Sequence, residues 1–261
     1  MGRGRFRGIT VAEGESDLWI GWNKETALVP GRLSPQDPVN QDTLEGELLH
    51  LASGLLHRFR ADLKEYAAGH KEFLSSLEPL PLDAGAPEPV RSMLMAGQAA
   101  GVGPMAAVAG AIAEALGRAL QDHFQFDELV IENGGDYWLT VQKPLPVLVY
   151  AGLSSLSERV SVIVQPEQSP CGLACSSGTV GPSVSFGKAD AALVLAPAAA
   201  AADAWATALG NRLRYQGDLS TAVEHLINMN SHSDNDEAYR PIGALAIMAD
   251  QLAACGKISL G

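Results

Sequence analysis

The chain has 261 residues, of which 47% are hydrophobic and 18% are charged. That balance is typical of a packed globular protein and excludes a disordered chain. Its 18 Lys and Arg residues stand against 30 Asp and Glu residues, which gives a formal net charge of -12. A nucleic-acid binder needs a basic stripe that displaces counterions, and an anionic membrane surface repels a negative protein. We therefore expect neither nucleic acid nor a membrane as a partner.

The N-terminal sequence and the cysteine content indicate where the protein resides. The first eight residues are basic, but Glu13, Glu15 and Asp17 follow where a signal peptide would have its apolar region. The longest apolar runs, 101–113 and 191–202, are well short of the roughly 20 residues that a membrane span needs. Three cysteines, an odd number, do not make a disulfide framework. These features predict a cytoplasmic protein.

The order of predicted elements indicates the fold class. β-Prone runs at 6–11 and 17–22 predict a hairpin, and Asp42 begins a helix with apolar residues at helical spacing. Residues 78–90 are rich in Pro and acidic residues, so they form an internal linker or a surface loop within one domain spanning 1–261. Helices are further predicted at 90–99, 105–122, 197–213 and 220–229, a long loop at 166–182, and strands at 126–132, 137–141, 147–150, 160–164, 183–186, 191–195, 245–248 and 251–258. Helices and strands are mixed without strict βα alternation, which favours the α+β class.

The first candidate site is the turn formed by Asn133, Gly134, Gly135 and Asp136 between two predicted strands. Two glycines let the backbone adopt positive φ and approach a ligand closely. Asn133 and Asp136 would present polar atoms to that ligand. The alternative is an ordinary hairpin turn, because Asn-Gly is the commonest hairpin signal.

The second candidate is the stretch Cys175, Ser176, Ser177, Gly178 and Thr179, which we predict to be part of a loop. Hydroxyl groups and backbone N–H groups in a glycine loop can cradle a phosphate. The stretch is not a Walker A motif, because no Gly-Lys-Ser/Thr follows. The alternative is a flexible surface loop.

The third candidate is a helix face that carries Asp203 and Thr207. These residues are spaced i, i+4, so their side chains share one face of the predicted helix. A carboxylate and a hydroxyl among alanines suit a hard cation such as Mg²⁺, which takes few protein oxygens together with phosphate oxygens and waters. The alternative is that Asp203 lies in the first turn of its helix and favours the helix dipole.

Taken in order, these motifs resemble the ApbE superfamily, whose best-known members are Mg²⁺-dependent FAD:protein FMN transferases. The resemblance covers roughly residues 89–213, and more weakly both ends. It is closest to a cytoplasmic branch of that superfamily whose activity is undefined. The stretches that carry it are 103–114 (GPMAAVAGAIAE), 130–136 (VIENGGD), 175–190 (CSSGTVGPSVSFGKAD) and 202–209 (ADAWATAL).

The resemblance implies an α+β, ApbE-like fold related to the T-fold, in which antiparallel sheets pack with helices and FAD binds across the motif loops. The family's Gly-Gly-Asp turn corresponds to Gly134, Gly135 and Asp136, its Ser-Gly loop to Ser177, Gly178 and Thr179, and its metal ligands to Asp203 and Thr207. One departure matters. The FMN transferases follow their Ser-Gly loop with His-Ile-x-Asp-Pro-x-Thr-Gly, whose His serves the chemistry, and the matching stretch 185–190 has neither that His nor the Pro.

The first hypothesis is therefore an enzyme that binds a phosphate-bearing ligand, FAD or a related nucleotide, with Mg²⁺ on Asp203 and Thr207. It is a divergent transferase in which Lys188 adds positive charge and Asp190 acts as a base or supporting carboxylate. A protein substrate and an oligomeric state both stay open.

The second hypothesis is a sulfur-handling protein, since the resemblance implies an association of this branch with sulfur assimilation. It requires Cys175 to have a lowered thiol pKa and to carry a persulfide, whereas the alternative is an unreactive cysteine. A third possibility is a binding module that kept the fold and lost catalysis.

Overall fold

The computed structural model describes residues 4–23, 41–178, 187–230 and 236–261. Its strands are, in chain order, β1 (Phe6–Glu13), β2 (Ser16–Asn23), β3 (Leu129–Asn133), β4 (Asp136–Thr140), β5 (Leu145–Leu148), β6 (Ser161–Val164), β7 (Cys171–Ser176), β8 (Ala191–Ala196), β9 (Gly243–Met248), β10 (Gln251–Gly256) and β11 (Ser259–Leu260). Its α-helices are α1 (Gln41–Gly69), α2 (Glu88–Ala100), α3 (Val108–Phe124), α4 (Ala199–Arg212) and α5 (Leu219–Asn230). The mixture of helices and antiparallel strands confirms the predicted α+β class.

The strands form two antiparallel sheets. The larger sheet has the order β1-β2-β3-β4-β7-β8-β9-β10, and the smaller has the order β11-β6-β5. The helices pack on one face of the larger sheet, and the smaller sheet covers part of the other face. Because both faces of its centre are covered, β8 is buried at every position and reads as an unbroken apolar run.

Small residues let the helices approach the sheet closely. A Cβ on Gly110 of α3 would collide with the carbonyl oxygen of Ala199, and a Cβ on Gly172 of β7 would collide with the Ala199 backbone. The first residue of α4 is thus held between α3 and β7. This contact fixes where the following turn of α4, which carries Asp203, lies relative to the sheet.

Most predicted elements are confirmed, including the first and last hairpins and the helix boundaries to within a few residues. The predicted loop at 166–182 is wrong over residues 171–176, where β7 runs between β4 and β8, and its last part, 179–182, lies outside the described residues. Residues 78–87 form a loop that packs on the helices: Tyr66 donates a hydrogen bond to Asp83 (3.2 Å), and the Gln98 amide donates to the Leu80 carbonyl (2.9 Å). The predicted strand at 183–186 lies outside the described residues.

Among the helices that the structure describes, no single one combines the length and the apolar composition that a membrane span requires. The segments Glu88–Ala100 and Pro104–Phe124 reach that length and composition only when taken together, and the chain bends by 106° between them.

Candidate functional site

The candidate site is a cavity of about 330 Å³ beside α4 and the end of β4. Asp136, Asp203 and Thr207 line it together, although Asp136 precedes the other two by more than sixty residues. The remaining wall comes from the segments 74–77 and 102–109 and from Asn211. The fold therefore joins two of the three motifs that the sequence singles out, and we call this space the acidic compartment.

The helix α4 presents the first pair of oxygen ligands. Asp203 and Thr207 are four residues apart and face the same cavity, as the helical spacing predicts. Asn211, four residues further along, extends the same row. Asn211 is not among the predicted site residues, although its i, i+4, i+8 spacing with Asp203 and Thr207 was a usable signal.

Asp203 also has a structural partner on the neighbouring helix. Its Oδ2 accepts a hydrogen bond from the backbone N–H of Gly110 (3.0 Å), in the first turn of α3. The backbone N–H groups in the first turn of a helix have no acceptor within that helix. The residue that precedes α3 supplies no side-chain cap for them. The first turn of α4 itself contains no acidic residue, so the expectation that Asp203 serves its own helix dipole is wrong.

The β3–β4 hairpin presents Asp136. Gly134 and Gly135 form a two-residue turn with φ values of 66° and 100°, which glycine adopts without steric cost. Asn133 and Asp136 are paired across the two strands on either side of this turn. Asn133 donates a side-chain hydrogen bond to the Ala109 carbonyl (3.1 Å), and Asp136 accepts one from the Cys175 N–H (3.2 Å). The hairpin is thereby tied to both α3 and β7.

The two predicted glycines themselves do not line the cavity. Gly135 donates its N–H to the Glu132 carboxylate (2.8 Å), and Gly134 is exposed. Their positive φ values account for their presence in the turn. We predicted that these two glycines contact a ligand directly, but neither of them lines this compartment.

Burial makes the compartment electrostatically unfavourable for two negative charges. It raises the pKa of Asp136 well above its ordinary value, and the nearby Asp203 adds to that rise while the Cys175 N–H opposes it. Burial also raises the pKa of Asp203 to about 7, against the hydrogen bonds from Gly110 and Ala109. Because two carboxylates repel each other in a poorly solvated space, a bound cation would stabilise their charged forms.

The Ser-Gly stretch occupies a neighbouring place. Ser176 ends β7 and is buried, and Ser177 and Gly178 follow it. Gly178 donates its N–H to the Ala189 carbonyl (3.0 Å) and packs against Gly187. None of these described residues lines the acidic compartment, and Thr179 lies outside the described residues.

Cys175 lies in a strand and not in the loop that we predicted. It is half-buried on β7, opposite Leu193 of β8. Burial, together with the nearby Asp136 carboxylate, raises the pKa of its thiol to about 12. This direction is opposite to the lowered pKa that the sulfur-carrier hypothesis requires.

The predicted catalytic residues Lys188 and Asp190 do not line the acidic compartment. Asp190 accepts a hydrogen bond from the N–H of Ala249 (2.7 Å), a non-glycine residue with φ of 56° in the turn between β9 and β10. The Lys188 side chain is exposed, and its N–H donates to the Leu213 carbonyl (2.8 Å). These contacts stabilise the turn and the end of α4.

The large antiparallel sheet, its helical layer and the compartment at the end of the Gly-Gly-Asp hairpin define an ApbE-like α+β protein. The family described as AbpE bacteria matches residues 2–246, and the chain belongs to that family. This membership confirms the predicted resemblance to the ApbE superfamily.

Curated relatives and a solved structure agree with that assignment. The chain is 36% identical over 239 residues to a UPF0280 protein of Methanocella arvoryzae, covering 90% of this chain and 86% of the relative. It is 40% identical over 199 residues to a UPF0280 protein of Methanosphaerula palustris, covering 76% and 78%. The ApbE protein of Thermotoga maritima superposes with a TM-score of 0.52 at 11% identity, covering 95% of this chain and 96% of that one. The last similarity shows the fold alone.

Proposed function

We propose that the protein binds a phosphate-bearing ligand, FAD or a related nucleotide, together with Mg²⁺ held by Asp203 and Thr207. The observation that carries this proposal is the meeting of Asp203, Thr207 and Asp136 in one cavity. The resemblance to the ApbE superfamily implies FAD together with Mg²⁺, and the family's metal ligands correspond to Asp203 and Thr207. FAD is therefore the first ligand to test.

The residues present fit a hard cation. Asp203 and Thr207 offer a carboxylate and a hydroxyl from one helix face, and Asp136 offers a second carboxylate nearby. Within the described parts of the chain, no group of three or more His, Cys, Asp or Glu side chains is placed to hold a metal. A site with so few protein ligands suits Mg²⁺, which completes its octahedron with waters and phosphate oxygens. The raised pKa values of Asp136 and Asp203 support the same assignment, since neither carboxylate has a positively charged partner among the residues that the structure describes.

The chain's own residues supply position and charge. The Gly110 N–H orients the Asp203 carboxylate, and the Cys175 N–H orients that of Asp136. When bound, Mg²⁺ would neutralise phosphate charge and stabilise a leaving oxygen. The compartment volume of about 330 Å³ matches the lower end of the range for small-molecule sites, roughly 300–1,000 Å³.

Whether a transfer reaction follows binding is a separate matter. The family's His-Ile-x-Asp-Pro segment is absent, and Lys188 and Asp190 do not line the compartment. We therefore propose ligand binding as the primary activity, with transferase activity as its extension. The sulfur-carrier alternative loses support, because the Cys175 pKa is shifted in the wrong direction.

The test is the binding of FAD, followed by its fluorescence, with and without Mg²⁺. We expect binding that requires Mg²⁺ and that falls at least about tenfold in Asp203→Asn and severalfold in Thr207→Val. Asp122→Asn on the exposed side of α3 and Thr221→Val on α5 are matched controls, since neither residue lines the compartment. Equal binding by wild type and Asp203→Asn would refute the metal assignment.

A further inference from the structure

The strand β10 forms one edge of the larger sheet, and its outer side has no strand partner among the residues that the structure describes. Its pairing with β9 begins at Gln251, and Lys257 continues the same ladder by donating its N–H to the Ile242 carbonyl (2.7 Å). Alternate residues of an antiparallel strand bond to the same neighbour, so the backbone groups of Leu252 and Ala254 point outward. They present N–H donors and carbonyl acceptors to a further strand.

The other edge strands of the two sheets are protected against such pairing. In the larger sheet, β1 carries Arg7 and Glu13, which contact Glu45 and His57 of α1. In the smaller sheet, β5 contains Pro146, which has no N–H, and β11 is only two residues long. Charged side chains, proline and short length are the usual means by which proteins prevent association at sheet edges. The six-residue strand β10, with the sequence QLAACG, has none of them.

Both faces of β10 are supported while its edge stays open. Ala253 and Cys255 pack on the helical layer that includes α5, and Leu252 packs with Ile258 in the core on the other face. Ala254 is exposed, and none of these side chains is charged. The strand is thus held in place, and its small side chains let another backbone approach closely.

The charges at the two ends of β10 make this edge complementary to itself. Asp250 directly precedes the strand and Lys257 directly follows it, and both are exposed. Neither forms an ion pair with a side chain that the structure describes, although Gln216 donates a hydrogen bond to Asp250 (3.3 Å). Antiparallel pairing puts the start of one strand beside the end of the other. Asp250 of each copy would therefore lie near Lys257 of the other, whereas parallel pairing would bring like charges together.

We propose that β10 pairs antiparallel with β10 of a second copy of this chain, so that the two larger sheets join across a twofold axis. The contact is isologous, because both copies contribute the same strand. In the register centred on Ala254, this residue lies opposite its own counterpart and Leu252 lies opposite Gly256 of the second copy. No wall residue of the acidic compartment comes from β9 or β10, so each copy keeps its own compartment. The inference is therefore independent of the proposed function.

Analytical ultracentrifugation of the full chain, over a range of concentrations at low salt, tests the pairing. We expect a monomer–dimer equilibrium in the wild type and a dissociation constant at least about tenfold higher in Ala254→Lys, since two like charges would meet at the twofold axis. Ala12→Lys is the matched control, because Ala12 is also an exposed alanine on an edge strand of the same sheet. It should leave the equilibrium unchanged.

Exchange of the terminal charges tests the antiparallel direction. Asp250→Lys alone or Lys257→Asp alone would place like charges near each other and should raise the dissociation constant about three- to tenfold. The double variant Asp250→Lys/Lys257→Asp restores opposite charges and should return to within about twofold of the wild type. Such a recovery identifies the contact, because a substitution that merely damaged the fold would not be reversed by the second one.

The outcomes that overturn the proposal are specific. A wild-type chain that stays monomeric over the whole range excludes a second copy as the occupant of this edge. A dimer that Ala254→Lys leaves intact forms through another surface. A dimer that the single charge variants weaken and the double variant fails to recover contradicts the antiparallel arrangement. Circular dichroism checks that each variant is folded, and the charge exchange decides alone if Ala254→Lys is not.

Discussion

Asp203 and Glu114 each accept a hydrogen bond from the first turn of the helix that carries the other. Asp203 of α4 accepts from the Gly110 N–H of α3 (3.0 Å), and Glu114 of α3 accepts from the Ala199 N–H of α4 (2.7 Å). Neither helix has a side-chain cap from the residue that precedes it. The two helices therefore complete each other's N-termini, and the candidate metal ligand is also a structural residue.

Because Asp203 both caps α3 and lines the compartment, substituting it should change stability and ligand binding, and these two effects can be measured separately. Asp203→Ala removes the acceptor and should have a free energy of unfolding about 1–2 kcal/mol lower than Asp203→Asn, which keeps an acceptor oxygen; both variants remove the repulsion with Asp136. Both variants should lose Mg²⁺-dependent ligand binding. Chemical denaturation and calorimetry on the same preparations measure the two effects. Glu114→Gln alters the cap on α4 and should keep Mg²⁺-dependent ligand binding. If Glu114→Gln also lost that binding, altered capping alone would account for the loss in the Asp203 variants.

The pH dependence of Cys175 alkylation tests the sulfur hypothesis. A thiol pKa of about 12 leaves on the order of one Cys175 in ten thousand ionised at pH 8. Because the thiolate is the nucleophile, alkylation should be slow at pH 8 and should rise about tenfold for each pH unit up to the pKa. Peptide mass mapping of the native protein after timed iodoacetamide treatment measures this rate against a free thiol.

Replacement of the same residue gives an independent check. Cys175→Ser should leave FAD binding within about twofold of the wild type, because the hydrogen bond to Asp136 comes from the backbone N–H and not from the thiol. Rapid alkylation at pH 8 together with a variant that loses function would restore the sulfur-carrier hypothesis.

Flavin transfer should be weak or absent. The stretch 185–190 lacks the His and the Pro of the FMN transferases, and Asp190 is engaged in the β9–β10 turn. We expect no covalent FMN on a peptide that bears the family's Thr acceptor motif, as measured by intact mass after incubation with FAD and Mg²⁺. Robust flavinylation that Asp190→Asn abolishes would show that Asp190 takes over the base's role.

Substituting a hairpin glycine tests whether glycine is present because of the turn conformation or because a ligand approaches it. Gly134 has φ of 66°, and nothing lies within 4 Å of a Cβ placed there. Asn tolerates this left-handed conformation better than other side chains do. Gly134→Asn should therefore retain stability to within about 1 kcal/mol and keep ligand binding. A stable variant with lost binding would show that a ligand approaches this glycine, as the resemblance implies.

The local parts of the site were predictable from sequence because they depend on short-range rules. The i, i+4 spacing of Asp203 and Thr207 requires only a helix, and the Asn133–Asp136 turn requires only two strands and the conformational freedom of glycine. The meeting of these motifs in one cavity depends on the close contact of Ala199 with Gly110 and Gly172. No local pattern specifies that contact, so the ordered resemblance was needed to suggest it.

The errors have equally specific causes. Cys175 was placed in a loop because Pro, Gly and Ser surround it, yet pairing with β4 and β8 makes the segment a strand. We predict Asp190 as a base, but its carboxylate stabilises a turn that begins almost sixty residues later. Local composition contains neither of these long-range partners.

The location of a bound cation tests the central claim most directly. Crystals grown with FAD and Mn²⁺ in place of Mg²⁺ would reveal the metal by its anomalous scattering. We predict a peak at coordination distance, roughly 2.1 Å, from an Asp203 carboxylate oxygen and the Thr207 hydroxyl, and no peak there in Asp203→Asn. FAD bound in the wild type with the metal elsewhere, or with no metal at all, would contradict it.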